Sequence, residues 1–370
     1  MPSNIVGYEW TLAGTAHVAY QTGDRHIHEM TVGENGMWHD ADITALAGGP
    51  RLESAILAGY AWPDGQTRQI TYVSPMDSNG HIHELVQREG NVWNYADITQ
   101  ATDAPPADGR ALVGLAWKAG RSKHVIYISR DGHIHELAAG VVSVWHHTNV
   151  TEQTGAPNAE SPHLAGFIWE GRGTQHIVYM SGDGHIHELM REVGKAWQHS
   201  DITALTNAPI ADGRALAACA WEKGKTRQIV YTNNRGNLFE LVAGNDNQWR
   251  YAGVLRLCSA PLTDGSALAT YAWETDSTRQ IVYVGSDRHI HEIAIGLDQT
   301  CNHVDLTRIK NACDASNEVI VGYEWSAQFA KHVIFLDTRE NPAIHAFTRK
   351  HGELWLHLDL TKLTGGQVIV

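Results

Sequence analysis

Cysteine is scarce, with four in 370 residues, so no disulfide framework carries the fold. No apolar run reaches the roughly 18 residues that a spanning helix needs, so membrane insertion is not expected. Basic runs of five or more are also missing. The 28 Lys and Arg are outnumbered by 41 Asp and Glu, for a formal net charge of −13. Neither a nucleic-acid backbone nor an anionic membrane is expected as the main partner. Met1-Pro2-Ser3-Asn4 lacks the basic and apolar regions of a secretory leader. The expectation is a chain made in the cytoplasm and released, where it is released, by a non-classical route. Sustained 3.6-residue periodicity is absent, so no substantial helix is expected. Charged residues are 19% against 43% hydrophobic, which argues for a buried core and against disorder.

What the chain does have is 13 Trp and 23 His, arranged periodically. HIHE or a degraded form begins at His26, His81, His133, His185, Asn237, His289 and Ala343, at spacings of 55, 52, 52, 52, 52 and 54 residues. Sixteen to nineteen residues earlier stand Trp10, Trp62, Trp117, Trp169, Trp221, Trp273 and Trp325. Twelve residues later stand Trp38, Trp93, Trp145, Trp197, Trp249 and Trp355, with Cys301 in the sixth place. Seven units of about 52 residues fill positions 1–370 as a single domain.

Each unit reads as four short strands. In the third they are Ala111–Trp117, Lys123–Ser129, His133–Ala138 and Val144–Thr151, rich in β-branched and aromatic residues and separated by turns such as Arg130-Asp131-Gly132. Extra residues near Pro75–Asn79 and Arg339–Pro342 fall between the second and third strands, where a turn tolerates them. Four antiparallel strands repeated seven times predict an all-β, seven-bladed β-propeller. A closed ring also needs no capping units. The tail Gly365–Val370 lies outside the repeat and is a candidate latch for the ring.

Hairpin connectivity brings four positions of each unit to one edge. They are the first Trp, the start of strand two, the end of strand three and the second Trp. The start of strand two carries Ala16, Arg68, Lys123, Gln175, Arg227, Arg279 and Lys331. Strand three carries Glu29, Glu84, Glu136, Glu188, Glu240 and Glu292, with Ala346 in the seventh unit. One unit with the full set is the second, with Trp62, Arg68, Glu84 and Trp93. An aromatic plane, a cation and a carboxylate suit a sugar, whose CH groups stack while its hydroxyls bind charge. The alternative is structural: the tryptophans wedge between blades while Glu and Arg pair across strands.

Two histidines at i and i+2 of a strand share a face, which can hold a transition metal. Strand-two His17, His124, His176 and His332 could complete such a site, but Gln69, Gln228 and Gln280 replace them in three units. An amide is a poor zinc ligand, so hydrogen bonding is the preferred role of these histidines; sugar contact and metal binding stay open. No cofactor or metal is expected. The recurring Asp-Ile-Thr at Asp42, Asp97 and Asp201, with Leu at Asp305 and Asp359, should satisfy backbone donors between blades. Cys219 should be a buried free thiol, and Cys258 with Cys313 are the candidate disulfide, with Cys301 a third possibility.

Every candidate acid or nucleophile is a repeat element, and no single polar cluster stands out from the sevenfold pattern, so an enzyme is not expected. The repeat resembles the seven-bladed β-propeller lectins of the Photorhabdus lectin family over essentially the whole chain. The resemblance implies a non-enzymatic, multivalent binder of L-fucose and related or O-methylated glycans, assembled as a homo-oligomer. A protein-interaction platform is the alternative, and a propeller hydrolase the third reading.

Overall fold

The computed structural model describes residues 4–52, 56–74, 80–88, 92–142, 144–340 and 342–366. Seven four-stranded antiparallel sheets follow one another along the chain, spanning 5–42, 57–97, 107–149, 164–201, 216–253, 263–305 and 315–359. Within each sheet the strand order is the chain order, so each blade is one continuous stretch of sequence. This is the seven-bladed propeller that the repeat predicts. The third blade comprises Ala107–Trp117, Ser122–Ser129, Ile134–Gly140 and Trp145–Asn149. Its fourth strand stops two residues short of expectation, because Asn149 caps the helix Val150–Thr154 by accepting from the Glu152 N–H at 3.0 Å. The inserted residues 75–79 lie outside the described residues, as does most of the proposed C-terminal latch.

Six helices of four or five residues occur among the described residues, each following a fourth strand. The Asp-Ile-Thr motif, or its Asp-Leu-Thr form, builds four of them, capped by Asp42, Asp201, Asp305 and Asp359. Asp42 Oδ1 accepts from the Ala45 N–H at 2.8 Å, and Thr44 Oγ1 accepts from the Ile27 N–H of strand three at 2.8 Å. The same threonine bond recurs from Ile82 to Thr99 and from Ile186 to Thr203. One motif therefore ends a blade, starts the link and ties it back to the blade it leaves.

The hydrophobic core lies between blades. One cluster joins Val18, Tyr20 and Met30 of the first blade to Ile334, Leu336 and Ile344 of the seventh. Gly7 is required at that junction, since a Cβ there would lie 2.3 Å from the Tyr323 ring. The ring closes through such packing and through the Trp325 indole N–H donating to the Gly14 carbonyl at 3.1 Å. Glu9 accepts from the Ala327 N–H at 2.9 Å, and Glu170, Glu222, Glu274 and Glu324 hold the turn of the preceding blade in the same way.

Candidate functional site

The four repeated positions do meet, but they come from neighbouring blades. Strand pairing explains why. Arg68 lies opposite Gln87 and Thr71 lies opposite Glu84, so Arg68 and Glu84 are three rungs apart. An odd offset puts their side chains on opposite faces of the sheet. Arg68 and Trp93 therefore face the first blade, while Trp62 and Glu84 face the third. The set Trp62, Arg68, Glu84 and Trp93 is divided between two junctions, which corrects the grouping by unit.

At the first junction Arg68 pairs with Glu29 and stacks between Trp10 and Trp93, its guanidinium 5.4 and 4.7 Å from the rings. At the second, Lys123 donates to both oxygens of Glu84 at 2.6 and 2.7 Å, 5.8 Å from Trp62 and 4.7 Å from Trp145. Arg227 binds Glu188 between Trp169 and Trp249. Lys331 binds Glu292 between Trp273 and Trp355. Arg279 binds Glu240 beside Trp221, with Cys301 where a second ring would lie. The pairs are deeply buried: Lys331 is 1% exposed and Glu292 2%. The tryptophan rings pack between blades, the structural role, and there each pair covers a cation.

Trp117 and Glu136 meet Gln175 and Trp197 at the remaining such junction. Gln175 cannot supply charge, and Arg191, its cross-strand neighbour, does. Arg191 donates to Glu136 at 2.8 Å and to Gln175 Oε1 at 2.8 Å, 5.4 and 4.6 Å from Trp117 and Trp197. Sequence reading missed Arg191. The available signal was an arginine in strand three of the only central unit without a strand-two cation.

Tyr8, two residues before its tryptophan, was also missed; it donates to Glu29 at 2.5 Å. His124 and His176 contact the glutamates of their own blades at 2.9 and 2.8 Å. Their other ring nitrogens meet Ser122 and Thr174, and Gln69, Gln228 and Gln280 donate to the matching Thr67, Thr226 and Thr278. The shared hydroxyl bond explains the exchange of His for Gln.

Burial would push Glu29 up, but His17 and Arg68 outweigh it and hold the carboxyl at about 2. Burial raises Glu84, where Gln69 supplies no positive charge beside Lys123. The junction of blades seven and one has neither member of the pair. Ala16 and Ala346 are buried there, and His332 stacks on Trp325 at 5.5 Å and meets Trp38 at 6.1 Å.

Open space adjoins two junctions. A cavity of about 550 Å³ is lined by Trp62, Glu84, Lys123 and Trp145, together with Asp64, Asn94 and Tyr95. A cavity of about 820 Å³ is lined by Glu240, Arg279, Gln299, Cys258 and Cys301. Cys258 and Cys301 form a disulfide in its wall, which corrects the expected Cys258–Cys313 pairing. The loop before Cys301 places it within reach of the link that carries Cys258, while Cys313 lies one link further on. Cys219 and Cys313 are free; Cys219 is partly exposed as a residue, but its thiol is enclosed beside Gln228 and Thr270, and burial pushes it up to about 12. Buried indole N–H groups of Trp10, Trp62, Trp117, Trp221 and Trp273 have no hydrogen-bond partner among the described residues.

No protein-family model and no curated protein matches the sequence. Among solved structures, the BP39L lectin from Burkholderia pseudomallei is similar at 14% identity and a TM-score of 0.73, covering 100% of this chain and 99% of that one. The Aleuria aurantia lectin, solved with alpha-methyl-L-fucoside, is similar at 14% identity and a TM-score of 0.55, covering 99% and 94%. AofleA from Arthrobotrys oligospora is similar at 12% identity and a TM-score of 0.54, covering 96% and 86%. At these identities the likeness shows the fold.

Proposed function

We propose that this chain is a multivalent carbohydrate-binding protein, a lectin for L-fucose and related or O-methylated glycans, without enzymatic activity and assembled as a homo-oligomer. The reading places it with the Photorhabdus lectin family, and the similar fold of the fucose-recognising Aleuria aurantia lectin supports it. The observation that carries it is the repeated cradle of Trp, cation and Glu at six of the seven junctions, open to a cavity where Trp62, Glu84, Lys123 and Trp145 meet. A buried N–H without a partner costs about 1–3 kcal/mol. The same unpartnered indole at several junctions suits a ligand that brings oxygen atoms to it.

Each site is weak. Three or four hydroxyl contacts at about 0.5–1.5 kcal/mol each, plus stacking of about 1 kcal/mol, leave about −4 to −6 kcal/mol after association entropy. That corresponds to a dissociation constant on the order of millimolar to tens of micromolar. Several sites on one rigid ring raise apparent affinity for a glycan-covered surface by about 10²–10⁴. The test is retention on a fucose column, elution with free L-fucose, and calorimetric stoichiometry above one per chain. Flow-through without monosaccharide binding would favour the protein-interaction platform. One nanomolar site per chain would sink the multivalent mechanism.

A further inference from the structure

The seventh blade departs from the other six at several places that lie together. At other junctions a proline carbonyl in the link accepts a tyrosine hydroxyl, as Pro261 does from Tyr283 at 2.9 Å. In the seventh blade Cys313 replaces that proline and Phe335 replaces that tyrosine, so the bond is lost at both ends. The cysteine lies instead against two imidazoles. One ligand atom from each of Cys313, His345 and His357 lies within 4.8 Å of the others. Among the described residues this is the one such group that joins a thiol to imidazoles.

The histidine pair is already oriented for ligation. His345 Nδ1 lies 3.1 Å from His357 Nε2, and His345 Nε2 lies 3.1 Å from Asp337 Oδ2. A carboxylate on the far nitrogen of a ligating histidine fixes its tautomer and raises its basicity. Blades three and four show the contrast. There His135–His147 and His187–His199 approach at 2.8 and 2.9 Å without a thiol, and the far nitrogens meet Ser129 and Ser181. Asp337 thus stands where those blades have a serine, and it pairs with Arg339. A dication, a thiolate and the Asp337 carboxylate balance in charge, and the charge of Arg339, which also pairs with Asp337, is met by Asp359 at 3.6 Å.

We propose that Cys313, His345 and His357 bind one zinc-type transition-metal ion, which ties the link before the seventh blade to its third and fourth strands. One thiolate with two imidazoles suits a tetrahedral borderline ion and leaves a fourth position for water. Binding releases the thiol proton, so affinity falls with falling pH. This edge of the blade is opposite the Trp–cation–Glu cradles, so the ion is not required for sugar binding.

The test uses untagged, chelator-stripped protein under argon. Cobalt(II) should bind with a near-ultraviolet thiolate-to-metal band at one equivalent per chain, and zinc should abolish it. Zinc should raise the thermal midpoint of the parent protein and not that of Cys313→Ala. Asp337→Asn should weaken zinc binding by about 10–100-fold while keeping the cobalt band. Cys313→Ser, which preserves size, controls for misfolding. Cobalt binding without a thiolate band, or equal stabilisation of Cys313→Ala by zinc, would overturn the site.

Discussion

Ala16 of the first blade and Ala346 of the seventh share one buried cluster, at the positions where five other junctions hold a cation and a glutamate. Both members of the pair are missing at the same junction. Losing one alone would leave an uncompensated buried charge, which costs far more than losing both.

That asymmetry can be measured at the neighbouring junction. Arg68→Ala or Glu29→Ala alone should cost about 3–5 kcal/mol. The double variant recreates the alanine pair already tolerated at the ring closure, and it should cost at least about 1 kcal/mol less than the sum. Urea unfolding of the three variants checks this, and additive costs would show that the two residues do not act together.

Sites that straddle junctions make a distinctive prediction for stoichiometry. Glu29→Gln with Arg68→Gln should remove about one fucose site per chain by calorimetry. Arg68→Gln with Glu84→Gln should remove about two, since those residues face different neighbours. The opposite result would restore the grouping by unit.

Arg191 should be replaceable by a cation on the adjacent strand. Arg191→Ala leaves Glu136 with His124 and Gln175 and should cost about 3 kcal/mol or more. Adding Gln175→Arg should recover most of that loss, because five other blades present their cation from strand two. Thermal melts of the single and double variants decide it; no recovery would mean that the position of the cation matters beyond its charge.

The disulfide should link Cys258 to Cys301 and leave Cys219 and Cys313 as thiols that alkylate once the chain is unfolded. With a sequence separation of 43, the chain-entropy relation gives a stabilisation of about 4 kcal/mol. Peptide mapping without reductant, followed by melts of Cys258→Ala/Cys301→Ala, tests both parts. A Cys258–Cys313 peptide would contradict the assignment.

Acid should destabilise the fold well before carboxylates titrate. Burial lowers His135 and His187 to about 4 and His332 to about 3. The unfolded chain takes up their protons below about pH 6.5, whereas the folded chain resists until the lowered values. Stability is therefore full above about pH 6.5 and is lost as pH falls toward 4, by up to about 1.4 kcal/mol per pH unit for each such histidine. His28, which Asp40 raises against burial, opposes this weakly, since its contribution is lost as pH rises through its folded value. Equal unfolding free energies at pH 7 and pH 5 would refute the burial argument.

Much of the architecture was legible because repetition is a long-range signal: Trp10 to Trp325 mark seven first strands whatever the local propensity. The residues of the cradle were legible for the same reason. Their partners were not, because a repeat read along the chain suggests that Arg68 belongs with Glu84. The register of one hairpin decides otherwise, and it is a matter of a single odd offset. The joint loss of Ala16 and Ala346 in different units was the visible clue to the true pairing. Arg191 and the Cys313 cluster were harder, since each replaces a repeated residue by chemistry arriving from another strand or link.

A blade that carries one half of each of two sites changes what gene duplication can do. Copying a whole blade inserts a new seam, and that seam mixes the trailing half of one ancestor with the leading half of another. Seam chemistry in such a ring descends by adjacency, so shuffling the same seven blades into a new order would alter the set of cradles without altering a single residue.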